Sequence, residues 1–257
     1  MTADPDMAFI VMTALAVILV GIAKTGFGGL VGSVAMPLVA AVSDMVTAIA
    51  VLLPLYVVMD IFAVWMVRRD IDRWFLPPMI LAGLLGTALG AAVFRSFDPT
   101  LLRVGLGVFS IIQGLRYLWS KRRGNKMPPA VPRGQRQWPA LWGWCGLAGF
   151  TSFFLMGDGP AQIYLLRYRL LPAVYVGTMV GFFFFINASK LPILFGMGAL
   201  NLGTLSFSAM FLPLVPLGLV AGRIIVQRLP KEPFYIAAHV LLVLLGIYLI
   251  ATGLTIA

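Results

Sequence analysis

Residues 7–30 read MAFIVMTALAVILVGIAKTGFGGL, an apolar run that ends in a lysine and a cluster of glycines. The run is long enough for one membrane-spanning helix, which needs about 20 apolar residues. Glycines at this density break a helix and allow backbone N–H groups to face a cavity. The segment therefore predicts a membrane helix that is interrupted near its end and followed by a short second piece.

The composition of the whole chain agrees with this prediction. Of its 257 residues, 61% are hydrophobic and only 11% are charged, whereas a soluble domain carries about 25% charged residues. The mean hydropathy of +0.99 excludes a soluble globular enzyme, which could not bury so much apolar surface, and a disordered chain. The runs are too continuous for a transmembrane β-barrel. We predict an all-α, polytopic transmembrane helix bundle.

The apolar runs are arranged in two similar halves. Two short apolar pieces, 30–43 and 159–171, follow the first and fifth runs, and glycines precede each piece. The predicted organisation is a first repeat over 1–119, a basic linker over 120–137 and a second repeat over 138–257. The long runs cover 7–25, 46–67, 74–95, 99–119, 138–156, 173–196, 204–227 and 234–254. Three glycine pairs share an offset of 132 positions, namely Gly86 with Gly218, Gly90 with Gly222 and Gly114 with Gly246.

Charge distribution predicts the topology. The formal charge is +10, and the basic residues lie mostly between apolar runs, so positive-inside topology explains them better than a nucleic-acid partner does. If the linker is cytoplasmic, Arg95 and Arg103 are the only basic residues that lie outside. This arrangement predicts a multi-pass protein of the inner (plasma) membrane with both termini outside, in the periplasm. Each half then has an odd number of segments, so the repeats are inverted, each with a Gly-broken helix and a short half-helix. Such repeats are typical of secondary transporters.

The first candidate site surrounds the glycine break of the first half. Its members are Thr25, Gly28, Gly29 and Ser33. A short helix starting near residue 30 would point its positive end at this place, which suits an anion. Glycines that only allow close helix packing are the alternative. Lys24 precedes the break. It either has a role within the membrane or extends its ammonium group to the cytoplasmic interface by snorkelling, and the two explanations are equally good.

The second candidate site surrounds the corresponding break of the second half. Thr151 and Ser152 precede it, and Gln162 follows it within the short piece. Gly157 and Gly159 flank Asp158, which is either a helix cap or a group that couples a proton or another cation to transport.

The third candidate site consists of Asn187 and Lys190, which share a helix face, and of Asp60 in the first half. Polar side chains within a membrane helix must face the bundle interior or a cavity. Lys190 either forms an ion pair with Asp60 or binds an anion. With one histidine and one cysteine, no metal site of the usual ligand types, no catalytic residue and no cofactor are predicted.

The chain resembles the sulfite exporter TauE/SafE family of bacterial membrane transporters over about residues 8–254. The resemblance rests on the motifs GIAKTGFGG at 21–29, LPL at 53–55, VMD at 58–60, GFTSF at 149–153, YLL at 164–166, VGT at 176–178 and NASK at 187–190. It implies a secondary transporter of small anions, often sulfur-containing ones such as sulfite, sulfonates or sulfoacetate. Relatives often carry a His-Ala-Gly-Gly-Pro-Pro-like stretch where this chain has Met156 to Ala161, so Asp158 replaces a glycine.

Two functional hypotheses follow. The first is an anion transporter that works by alternating access, binds the substrate with the three candidate sites and couples transport to a proton or Na⁺ at Asp60 or Asp158. The second is a cation or metal-ion exporter that uses these two aspartates. The expected partners are the small substrate and the lipid bilayer, and a homo-oligomer is left open.

Overall fold

The computed structural model describes residues 6–26, 34–96, 98–122, 131–156, 159–228 and 231–256. Within these ranges every regular element is a helix, which confirms the all-α prediction for them. The helices are α1 (Met7–Gly26), α2 (Ala35–Ala40), α3 (Met45–Val67), α4 (Leu76–Ser96), α5 (Pro99–Arg122), α6 (Trp138–Leu155), α7 (Gly159–Leu166), α8 (Pro172–Gly196), α9 (Leu202–Ala209), α10 (Leu214–Arg228) and α11 (Lys231–Ile256).

Several described helices have the dimensions of membrane spans. Four of them are long and apolar enough to cross a bilayer, over Met7–Lys24, Met45–Val67, Leu76–Phe94 and Pro172–Gly196. The pair Leu202–Ala209 and Leu214–Gly222 makes a fifth if it is counted as one span. The described part of the chain is therefore that of a multi-pass membrane protein.

The seventh apolar run, 204–227, differs from the single helix that its hydropathy predicts. It forms α9 and α10, which are bent by 50° relative to each other. Pro213 lies in the bend and has no N–H to donate to the preceding turn. Short-range bonds replace the α-helical pattern there, since the N–H of Phe211 donates to Ser208 and that of Leu214 to Phe211.

Helix packing pairs elements from the two halves. α4 packs on α6, α1 on α10, and α5 on α11. Glycines allow these close approaches, because a Cβ at Gly86 would lie 1.9 Å from the Gly146 carbonyl oxygen and one at Gly21 would lie 2.7 Å from the Gly218 backbone. The contacts of Gly107 with Gly246 and of Gly114 with His239 make α5 and α11 antiparallel.

α3 and α8 lie at the centre of the bundle and contact each other. A large buried apolar cluster surrounds α3, with side chains from α1 and α2. A second cluster joins α4, α6, α7 and α8. Polar residues on the facing sides of α3 and α8 are therefore enclosed by apolar structure on both sides.

The end of the linker contacts two loops at one end of the bundle. Arg133 forms an ion pair with Asp72, between α3 and α4, and the N–H of Val131 donates to the carbonyl of Arg167, between α7 and α8. Arg103 instead donates to the loop between α2 and α3, where α3 begins. Basic segments that were predicted on one side of the membrane thus share one end of the bundle, while their orientation in a membrane remains a prediction.

The junctions at the two glycine breaks fall on residues 27–33 and 157–158, which lie outside the described ranges. α1 ends at Gly26 and α6 ends at Leu155. Met156 follows α6 in the left-handed conformation, with φ 52°, and its N–H donates to the Ser152 carbonyl. The Gly-broken helices, the inverted repeats and the three-part division of the chain remain predictions.

Candidate functional site

A connected set of buried and partly buried polar side chains joins four helices near the centre of the bundle. We call it the polar cluster, and its members are Lys24 of α1, Asp60 of α3, Ser152 of α6, and Asn187 and Lys190 of α8. The helices α3 and α8 bring Asp60 and Asn187 together, although the two are 127 positions apart in the chain.

Asp60 is held by partners from two other helices. Its side chain is 2% exposed, and its oxygen Oδ1 accepts from the Nζ of Lys24, with which it forms an ion pair. Its other oxygen, Oδ2, accepts from Nδ2 of Asn187 at 2.7 Å. A buried carboxylate must be paired and hydrogen-bonded to be tolerated, and both requirements are met here.

Lys190 is completely buried. Its Nζ donates to the hydroxyl of Ser152 at 2.7 Å, to the carbonyl oxygen of Ser152 at 2.7 Å and to Oδ1 of Asn187 at 3.0 Å. Three oxygens around an ammonium group match its three N–H donors. A charged lysine within a membrane-spanning helix is costly in a bilayer and is usually found where a membrane protein has a functional site.

Asn187 connects the two charged groups. Its amide nitrogen donates to Asp60, and its amide oxygen accepts from Lys190. An amide is suited to this position because it has both donor and acceptor atoms. The carboxylate and the Lys190 ammonium group are therefore linked through one side chain.

Lys24 is the member of the polar cluster that sequence reasoning did not place in a site. Its Nζ lies 5.3 Å from the centroid of the Tyr56 ring, and its side chain is only 13% exposed. The signal was its position at the end of an apolar run, but a snorkelling lysine occupies the same position. In the structure Lys24 forms an ion pair with the Asp60 carboxylate instead.

Three other residues that were predicted to bind the substrate, Thr151, Gln162 and Gly159, lie in the described part of the chain. Thr151 is mostly buried, and its hydroxyl donates to the Leu147 carbonyl of its own helix at 2.8 Å. Gln162 of α7 is 3% exposed, and its Nε2 has no hydrogen-bond partner among the described residues. Gly159 is the first residue of α7.

The remaining predicted residues are placed only in part. The last turn of α1 contains the backbone of Thr25, whose side chain is not described. Gly28, Gly29, Ser33, Gly157 and Asp158 lie outside the described ranges.

Metal-ligating residues do not gather in the part of the chain that the structure describes. No group of three or more histidine, cysteine, aspartate or glutamate side chains occurs there. The single histidine, His239 on α11, stacks on the Tyr117 ring of α5 with the ring centroids 3.8 Å apart.

Comparison with known proteins places the chain in a family. Neither the curated proteins nor the solved structures give a match. The model of the family "Sulfite exporter TauE/SafE" matches residues 13–249. This range contains all five members of the polar cluster and most of the chain. The protein, a membrane transporter by its family and by its apolar helices, belongs to the sulfite exporter TauE/SafE family.

Proposed function

We propose that the protein is a secondary transporter that moves small sulfur-containing anions, such as sulfite or sulfonates, across the inner membrane by alternating access. The observation that carries the proposal is the complete burial of Lys190 among oxygen acceptors at the centre of the bundle. Family membership supports the anionic substrate. A buried anion needs cationic and hydrogen-bonding groups, and the polar cluster supplies both.

The proposed roles follow from the chemistry of each group. Lys190 attracts the negative charge, and Asn187, Ser152 and Thr151 offer hydrogen bonds to oxyanion oxygens. The Nε2 of Gln162 is a further buried donor, whose cost without a partner would be relieved by an acceptor on the substrate.

The glycine breaks complete the proposed site. Backbone N–H groups near Thr25, Gly28, Gly29 and Ser33, and those near Gly157 and Gly159, are the expected contacts of the acid group. Asp60 or Asp158 carries the coupled proton or accepts Na⁺.

Helix packing supports alternating access between two inverted halves. In the proposed repeat α1 corresponds to α6, and α10 corresponds to α4. The pair α1–α10 therefore corresponds to the pair α6–α4, and the helices of each pair pack on each other. α4 and α6 run parallel, since Ala82 faces Gly146 and Gly90 faces Phe153, while α5 and α11 are antiparallel. An inverted repeat with a cytoplasmic linker and both termini outside requires these directions.

A ligand-stabilisation panel tests the proposal. The purified protein in detergent is unfolded by heat, with tryptophan fluorescence as readout, in the presence of sulfite, sulfate, methanesulfonate, acetate or divalent cations. A ligand at about a hundred times its Kd stabilises the folded state by about 2.7 kcal/mol. We expect stabilisation by a sulfur oxyanion that is lost in Lys190→Ala.

Ser189→Ala is the matched control, because Ser189 lies beside Lys190 on α8 and its hydroxyl donates to the Ile186 carbonyl of its own helix. It should keep the stabilisation by the anion. Stabilisation by cations alone, lost in Asp158→Asn, would contradict the proposal and favour a cation exporter.

A further inference from the structure

The carboxylate of Asp60 lies between two donors that come from different helices. Lys24 approaches one oxygen from α1, and Asn187 approaches the other oxygen from α8 at 2.7 Å. The residue is 1% exposed, so its carboxylate has almost no contact with bulk solvent. Both oxygens of the group are therefore engaged by the protein itself.

This donor set would equally suit the substrate. An ammonium group and an amide N–H that point at two oxygens of one acid group are what a carboxylate, a sulfonate or a sulfite ion requires. Lys190 lies on the other side of Asn187 and donates to its oxygen at 3.0 Å. In this conformation the side chain of Asp60 thus occupies a position that has the chemistry of an anion site.

We propose that Asp60 is an internal occupant of the anion site and that its protonation admits the substrate. Neutral Asp60 releases Lys24 and Asn187, and the acid group of the incoming anion takes the place of the carboxylate between them. Lys24 is then a substrate-binding residue. This inference rests on the proposed function and adds to it the coupling ion and the stoichiometry.

The step balances in protons and charge. One proton from the aqueous phase forms an O–H bond with an oxygen of Asp60, and no other covalent bond forms or breaks. Protonation adds one positive charge to the polar cluster, and entry of a monovalent anion removes one. The two events together leave the charge of the cluster unchanged, so the anion and the proton move in the same direction at a ratio of one to one.

Electrostatic repulsion explains why the two events must be linked. At a separation of about 4 Å and an effective dielectric constant of about 20, the negative charge of an ionised Asp60 lowers the binding constant of a monovalent anion on the order of a thousandfold. An ionised Asp60 next to a bound anion is therefore strongly disfavoured. Binding of the anion favours protonation, and loss of the proton on the other side of the membrane favours release of the anion.

The charged and titratable groups around Asp60 belong to three helices. Among the described residues they are Lys24 of α1, Lys190 of α8 through Asn187, and Tyr56 of α3, whose ring lies near the Lys24 ammonium group. The group that gains and loses the proton in this scheme is Asp60.

Proton and anion fluxes in proteoliposomes test the inference. Vesicles that contain the wild-type protein are loaded with a pH dye. The probes are labelled sulfite and labelled methanesulfonate, whose charge is fixed over the working pH range. We expect one proton to enter with each methanesulfonate ion and an imposed pH gradient to drive its accumulation. Anion entry without proton movement would overturn the inference, and this measurement needs no variant.

Asp60→Asn imitates the protonated residue and separates exchange from coupling. The variant should still exchange labelled for unlabelled anion, at a rate that no longer depends on pH, while accumulation driven by a pH gradient is lost. Asp44→Asn is the matched control, because Asp44 is the exposed cap of α3 at one end of the bundle. Accumulation that persists in Asp60→Asn would refute the role of Asp60.

The outcomes distinguish this inference from the proposed function. Wild-type vesicles that exchange neither probe contradict anion transport itself. Vesicles that exchange anion but move no proton leave anion transport intact and overturn only the coupling by Asp60. An infrared difference spectrum gives an independent check, since anion binding should produce a carboxylic acid C=O band that is absent in Asp60→Asn. Anion binding without such a band in the wild type would contradict the inference.

Discussion

The close approach of α6 to α4 makes the stability of the protein sensitive to a single methyl group at Gly149. A Cβ at this position would lie 1.9 Å from the carbonyl oxygen of Gly83. Real Cβ atoms do not come closer than about 3.0 Å to a neighbour, so Gly149→Ala requires the helices to separate by roughly 1 Å. Overpacking of this kind costs about 1–3 kcal/mol, which lowers the unfolding temperature by about 2–12 °C.

The chain contains its own reporter for this measurement. Cys145 is the one cysteine of the sequence and is completely buried on α6. A thiol-reactive fluorophore therefore labels the protein only as it unfolds. Gly143→Ala on the same helix is the matched control, because nothing lies within 4 Å of a Cβ there and alanine favours a helix over glycine. Equal unfolding temperatures for Gly149→Ala and Gly143→Ala would refute the proposed helix contact.

Three further predictions concern single contacts. Asn201→Ala removes the capping box of α9, in which Asn201 and Thr204 bond each other's backbone, and should lower the free energy of unfolding by about 0.5–2 kcal/mol; unchanged thermal unfolding would contradict it. Ser208→Ala removes a hydroxyl that joins α9 to α3 at 2.8 Å and should cost about 0.5–1.5 kcal/mol in the same assay, so an unchanged free energy of unfolding would contradict this contact. Arg136→Ala removes a guanidinium group that lies 4.1 Å from the Trp74 ring centroid and should speed tryptic cleavage after Arg133, whereas an unchanged rate at that bond would argue against docking of the linker.

The sequence predicts the helices well because a membrane-spanning helix requires a long apolar run, which is easily recognised in a sequence. The run 46–67 becomes α3 over Met45–Val67, and the run 173–196 becomes α8 over Pro172–Gly196. Hydropathy alone did not reveal the bend between α9 and α10, since Pro213 stands among apolar residues that continue the run. Which helices pack together also depends on glycine contacts between distant segments, such as Gly83 with Gly149.

The composition of the polar cluster was less accessible from sequence. A polar face on the helix of Asn187 and Lys190 follows from their spacing, but the partner of each ammonium group depends on how α1, α3 and α8 are arranged. Lys190 was the one lysine considered as an ion-pair partner of Asp60, whereas Lys24 was considered as a lysine that snorkels to the interface. The ion pair of Asp60 with Lys24, and the bridge through Asn187 to Lys190, are three-dimensional facts that spacing along the chain does not specify.

Uptake of labelled sulfite into proteoliposomes tests the central claim most directly. Wild-type protein, Lys190→Met and Ser189→Ala are reconstituted at equal amounts after each has passed the thermal unfolding assay. Transport that depends on the buried ammonium group predicts uptake by the wild type and by Ser189→Ala and none above empty vesicles by folded Lys190→Met. Uptake by Lys190→Met at the wild-type rate would contradict an anion site built around Lys190.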